Sequence, residues 1–143
     1  MTKIFEKILI ATDGSEKNRP AVGKALAIAR ECGSSLLVVY VIDESAFTSV
    51  QPEVLPEDLY PKLQEEGESA VRRVRELAGG LAVETRVLTG KPAQVITGLA
   101  ARTGVDLIVV GSLGKTGLAR LVLGSVAESI VRTAGCAVLV VKS

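Results

Sequence analysis

Five short runs of β-branched and aliphatic residues recur along this chain, each separated by a longer stretch of helical periodicity. The runs are "KILIAT" (7–12), "SLLVVYVI" (35–42), "LAVETRVL" (81–88), "DLIVVG" (106–111) and "CAVLVV" (136–141). Between them, apolar residues return at helical spacing: Val22, Ala25, Leu26 and Ala29 with Gly33 as the stop; Leu63, Ala70, Val71, Val74, Leu77 and Ala78 ending at Gly79-Gly80; and Val95, Ile96, Leu99 and Ala100 closed by Gly104. Strict strand–helix alternation predicts a parallel sheet covered by helices on both faces. The second run is apolar almost throughout, as a parallel strand buried on both sides must be. Glu84 and Arg86 in the third run predict a strand at the sheet's edge. Right-handed crossovers leave few topologies open.

The segment from Asp43 to Pro61 breaks the rhythm. Pro52, Pro56 and Pro61 interrupt it, so a loop is expected, leading into a helix near Glu57 or Pro61. Pro92, after Gly90-Lys91, suits the first turn of the next helix. The last helix is expected from about Ser125 to Thr133. With 143 residues, of which 48% are hydrophobic, the chain suits one domain over 1–143. Aliphatic residues must fill its core, because it has two Phe, two Tyr and no Trp.

Composition excludes several chemistries. There is no histidine, so a Ser-His-Asp or Cys-His catalyst within one chain, and any His-ligated metal, are ruled out. Cys32 and Cys136 form no C-x-x-C pair, and buried or half-buried thiols are expected. Seventeen basic residues against sixteen acidic give a net charge of +1, which suggests neither a nucleic-acid surface nor a membrane anchor. The first residues, "MTKIFEKILIATDGS", read as a core strand rather than a secretion signal. Cytoplasm is the expected setting.

The functional signal lies near the end of the chain. The fourth run breaks at Gly111 and Gly114; after nine intervening residues Gly124 stands before Ser125 and an amphipathic stretch. Small residues let backbone approach a ligand, and a helix start offers free N–H groups to an anion. The pattern is neither a P-loop nor a dinucleotide fingerprint. Gly114-Lys115-Thr116 fits the end of a P-loop, but its first glycine would have to stand at Val109; Gly111, Gly114 and Gly117 are spaced G-x-x-G-x-x-G. In an open parallel sheet, ligands sit beyond the carboxyl ends of the strands where the order reverses. In the order 3-2-1-4-5, that crevice brings Ala11-Thr12-Asp13 opposite Val110-Gly111-Ser112, with Val41 nearby.

Four segments, "KILIATDGSE", "LLVVYVID", "DLIVVGSLGKTGL" and "LVLGSVAESIVRTAGCAVLVVK", together resemble the universal stress protein family over essentially the whole chain. The resemblance implies a single three-layer α/β domain, flavodoxin-like and related to adenine-nucleotide hydrolases, with a five-stranded parallel sheet of order 3-2-1-4-5. Members that bind ATP look like G-x-x-G-x9-G-[ST], matched here at Gly111, Gly114, Gly124 and Ser125. Carried over, the resemblance implies that main-chain groups of Val41 contact the adenine edge. Ala11 and Gly111 would lie against adenine and ribose, and Asp13 would face the ribose or a metal-bound water. The stretch holding Gly111, Ser112, Gly114, Lys115, Thr116 and Gly117, and the turn of Gly124, Ser125 and Val126, would cradle the phosphates. ATP, or ADP or AMP, would be held with Mg²⁺ or Mn²⁺. Many members carry Arg or His where Leu113 stands here.

Plainer readings stand beside these. Ser125 with Glu128 fits a capping box. Asp13 with Gly14 suits a turn, Thr12 a structural role, Lys115 a solvated loop charge and Gly117 a loop-shaping role. Function is expected to be that of a nucleotide-dependent sensor, switch or scaffold with little or no turnover. The alternatives are a nucleotide-independent dimeric interaction module and a slow ATPase. Family members commonly dimerise through the last strand, so the resemblance makes Val138 and Val140 the expected interface.

Overall fold

A computed structural model describes residues 4–48, 51–113 and 123–143. Its strands are β1 (Lys7–Ala11), β2 (Ser35–Asp43), β3 (Val83–Gly90), β4 (Leu107–Gly111) and β5 (Ala137–Val141); its helices are α1 (Arg19–Cys32), α2 (Ser45–Thr48), α3 (Leu59–Ala78), α4 (Pro92–Thr103) and α5 (Ser125–Thr133). All five strands are parallel, in the order β3-β2-β1-β4-β5. The fold is the single α/β sandwich that the alternation predicts.

The sheet buries both faces, and the pleat sorts its side chains between two cores. Ile8, Ile10, Val38, Tyr40 and Val109 pack with α1 and α3. Leu9, Leu37, Val39, Ile108 and Val110 pack with α4 and α5, where Ile130 is fully buried. At roughly 1.5–3 kcal/mol for each large aliphatic side chain removed from water, these two layers are the main stabilising term. Asp106 ties the strand starts together, its carboxylate accepting from the amides of Glu6 and Lys7 at 2.9 and 3.1 Å.

The segment after β2 is less irregular than its prolines suggest. It holds the single turn α2 and a 3-10 turn at Pro52–Val54 before α3 starts. β3 begins two residues later than expected, because the Leu81 amide still bonds back to Ala78 O. It then runs on until Gly90 pairs with Asp43.

One expected core residue is misplaced. Leu77 is 58% exposed; α3's buried stripe runs through Gly67, Ala70, Val71, Val74 and Ala78. Gly67 belongs there because a Cβ would stand 2.8 Å from both Tyr40 Cδ1 and Val87 Cγ1. Its missing side chain lets α3 lie close on β2 and β3.

Candidate functional site

The central strands part at their carboxyl ends. β1 and β4 pair through Ile8–Leu107, Leu9–Ile108 and Ile10–Val109, and the register stops there. Beyond it each chain turns to its other neighbour: Thr12 N bonds Val39 O on β2, and Ser112 N bonds Val141 O on β5, both at 2.9 Å. The crevice expected between strands one and four is therefore present.

Val41 flanks this crevice. In a parallel ladder, alternate residues of a strand turn their N–H and C=O to the same neighbour. Val39 faces β1, so Val41 does too, yet β1's last pair is Ala11–Val39. Val41 thus directs its main-chain groups past the end of β1, while its side chain and that of Ala11 pack against the α4/α5 core.

The turn after β1 is internally bonded. Buried Thr12 accepts from the Gly14 amide through Oγ1 at 3.2 Å. Asp13 Oδ1 accepts from Ser15 N at 2.9 Å and Ser15 Oγ at 2.7 Å. Asp13 therefore does form a turn, and that turn fixes its carboxylate at the rim.

Asn18 is a site residue that sequence reasoning missed. Only 5% exposed, it reaches back so that Nδ2 donates to Ala11 O at 3.4 Å, the carbonyl left over where the β1–β4 ladder stops. Gly111 accommodates this side chain: a Cβ at 111 would lie 3.3 Å from Asn18 Nδ2 and 3.5 Å from Leu113 O. The close approach expected of Gly111 is thus, on this side, an approach to a protein carboxamide. A polar residue three places after a D-G-S turn reads as solvated surface, so nothing in the sequence pointed to it.

Across the crevice, Gly124 N donates to Ser112 O at 2.7 Å and brings the start of α5 against the end of β4. The helix begins where the sequence predicts, but Gly124 is its N-cap, with no side-chain cap bond. Ser125 is the first helical residue, and Glu128 pairs with Arg132 instead. The capping-box reading is corrected: the cap is an extended glycine (φ −60°, ψ 157°) whose carbonyl accepts the first rung from Glu128 N at 3.0 Å. The amides of Ser125, Val126 and Ala127 lie ahead of that rung, at the positive end of the helix. Gly114, Lys115, Thr116 and Gly117 lie outside the described residues.

A hollow of about 590 Å³ opens on the sheet's other face, lined by Asp13, Gly14, Ser15, Tyr40 and residues of α3 including Lys62 and Arg73. Glu65 and Glu66 line it too, so its charge is mixed. It shares the turn of Asp13 with the crevice. Cys32 and Cys136 are free, half-buried thiols. Burial, helped by the nearby Asp106 carboxylate, pushes the Cys136 thiol above its ordinary range.

Residues 4–142 match the universal stress protein family. The chain is 41% identical to a universal stress protein of Methanocaldococcus jannaschii over 97% of its own length and 83% of the relative's. It is 37% identical to a putative universal stress protein of Staphylococcus haemolyticus, covering 97% of this chain and 86% of that one. Among solved structures it resembles the hypothetical protein MJ0577, with TM-score 0.85 and 33% identity over 98% and 97% of the two chains. It also resembles a universal stress protein solved in complex with cAMP, with TM-score 0.71 and 25% identity over 99% and 98%. The chain belongs to the universal stress protein family.

Proposed function

We propose that this protein binds an adenine nucleotide, ATP in the first place, across the carboxyl ends of β2, β1 and β4. The observation that carries the reading is the start of α5, three amides ahead of the helical ladder, held against the β1–β4 split by the Gly124–Ser112 bond. Such an end suits a phosphate. Val41's outward main-chain groups supply an edge for adenine one strand away. The complex of a structural relative with cAMP, itself an adenine nucleotide, supports the ligand class.

In this reading Ala11 and Gly111 border the base and sugar, Asp13 faces the sugar or a metal-bound water, and Ser112, Gly124, Ser125 and Val126 surround the phosphates together with Gly114 to Gly117. Thr12 shapes the turn. No cluster of three His, Cys, Asp or Glu occurs among the described residues. A Mg²⁺ or Mn²⁺ ion would be held chiefly by the phosphates, with Asp13 the residue that could face a metal-bound water.

The role we assign is that of a nucleotide-dependent sensor, switch or scaffold in a stress response, located in the cytoplasm, with little or no turnover. Phosphoryl transfer to water needs an oriented nucleophile and charge stabilisation. The Asp13 carboxylate at the described rim is already engaged by Ser15. Titration of ATP with Mg²⁺ into the wild type, Gly124→Asp and Ser125→Glu tests the site. The added bulk and like charge should weaken binding at least tenfold; unchanged affinity in both variants rules the pocket out.

A second reading, of a homodimer, has its own support. Val141 O bonds to Ser112 on β4, so by alternation Val138 and Val140 turn their N–H and C=O outward from the sheet. β5 carries no charged residue, whereas the opposite edge, β3, carries the Glu84–Arg86 ion pair. An uncharged edge invites a second copy.

A further inference from the structure

We infer that Asn18 is a specificity-determining residue of the crevice, its Oδ1 accepting a hydrogen bond from a sugar hydroxyl of the bound nucleotide. This rests on the adenine-nucleotide reading above and adds to it a residue the sequence pattern does not contain. Asn18 Oδ1 is buried and has no hydrogen-bond partner among the described residues, while Nδ2 of the same amide is committed to Ala11 O. Turning the amide over would only exchange one unsatisfied contact for another, setting oxygen against oxygen. A buried acceptor left unpaired is costly and rare in folded proteins.

The amide stands where β1 and β4 part, between Ala11 O and Gly111. A carboxamide oxygen accepts and cannot donate, so it repels phosphate oxygens, which also accept. The donors on an adenine nucleotide are the exocyclic amine and the sugar hydroxyls. In the proposed pose the base lies toward Val41 on β2 and the phosphates toward Gly124. The group between them, at the split, is the sugar. Asn18 therefore favours ribonucleotides over their deoxy counterparts.

The test compares the affinities of ATP, 2′-deoxy-ATP and 3′-deoxy-ATP, each with Mg²⁺, for the full-length wild type, Asn18→Leu and Asn18→Ala. In the wild type at least one deoxy analogue binds about threefold to tenfold more weakly than ATP, the worth of one neutral hydrogen bond. In both variants the ratio falls to about one. That ratio is insensitive to a merely structural role, which would weaken all three ligands alike. Equal affinities in the wild type, or an undiminished preference in the variants, overturn the assignment. Should both variants not fold, Asn18→Ser, which shortens the side chain and withdraws the acceptor, takes their place, because Asp13 also faces the sugar and the wild-type ratio alone does not separate the two. Failure of the wild type to bind any of the three overturns the nucleotide reading itself, and the role of Asn18 with it.

Discussion

The amide of Gly124 donates to the carbonyl of Ser112 at 2.7 Å, joining the first turn of α5 to the end of β4. The two stand twelve residues apart in sequence, one just past β4 and the other at the N-cap of α5. Gly124 has φ −60°, a value proline also adopts. Gly124→Pro therefore removes the N–H and leaves its φ intact. Loss of this bond should cost about 1 kcal/mol of stability and weaken ATP binding, because the α5 amides lose their anchor. Gly124→Ala keeps the bond and should retain wild-type stability. Thermal unfolding and calorimetric titration of the pair separate the two effects.

Dimerisation through β5 predicts an asymmetric response to proline. Val140 turns its N–H away from β4, so Val140→Pro removes an outward donor and spares the β4 ladder. Sedimentation of this variant should give the monomer mass where the wild type gives the dimer. An unchanged mass places any interface elsewhere.

Close packing of α3 on the sheet predicts that Gly67→Ala is destabilising, although alanine is the better helix former by about 1 kcal/mol. Its Cβ would meet the buried Tyr40 ring and Val87 at 2.8 Å, and overpacking of this kind costs about 1–3 kcal/mol. Packing outweighs propensity, and denaturant unfolding should show a net loss of up to about 2 kcal/mol. A gain would mean that α3 shifts without cost.

The Cys136 thiol, raised by burial and by Asp106, holds less thiolate at neutral pH than a free cysteine, whose pKa is about 8.5. Since the thiolate is the nucleophile, alkylation of Cys136 in the folded protein should be slower than that of free cysteine and should accelerate as pH rises past the free thiol's range. Asp106→Asn removes one of the two causes and should speed the reaction at a given pH. Mass-resolved labelling reads both.

The sheet was legible because a buried parallel strand leaves a continuous apolar run, and five such runs alternate with helical stripes. Burial dictates that pattern directly. The start of α5 was legible for a different reason, since Gly124 and Ser125 interrupt the periodicity at the point where the chain must turn. Details that depend on two distant segments meeting left no such mark. Leu77 has helical spacing from Ala70 and Val74, yet the covered face of the last turn falls on Ala78, 2% exposed, and leaves Leu77 outside at 58%. Gly67 reads as a weak spot in a helix until Tyr40 and Val87 lie against it. Ser125 and Glu128 have capping-box spacing, but the cap is Gly124, and Glu128 is paired with Arg132. Asn18 owes its burial to the parting of β1 from β4, a property of the sheet rather than of its neighbours in sequence.

The most direct test of the central claim, that α5 and the β1–β4 split receive the nucleotide, is amide NMR of the labelled protein during titration with ATP and Mg²⁺. The largest shifts should fall on Ser125, Val126, Ala127 and Val41. Shifts concentrated instead on Tyr40, Lys62 and Arg73, around the hollow beside α3, would contradict it.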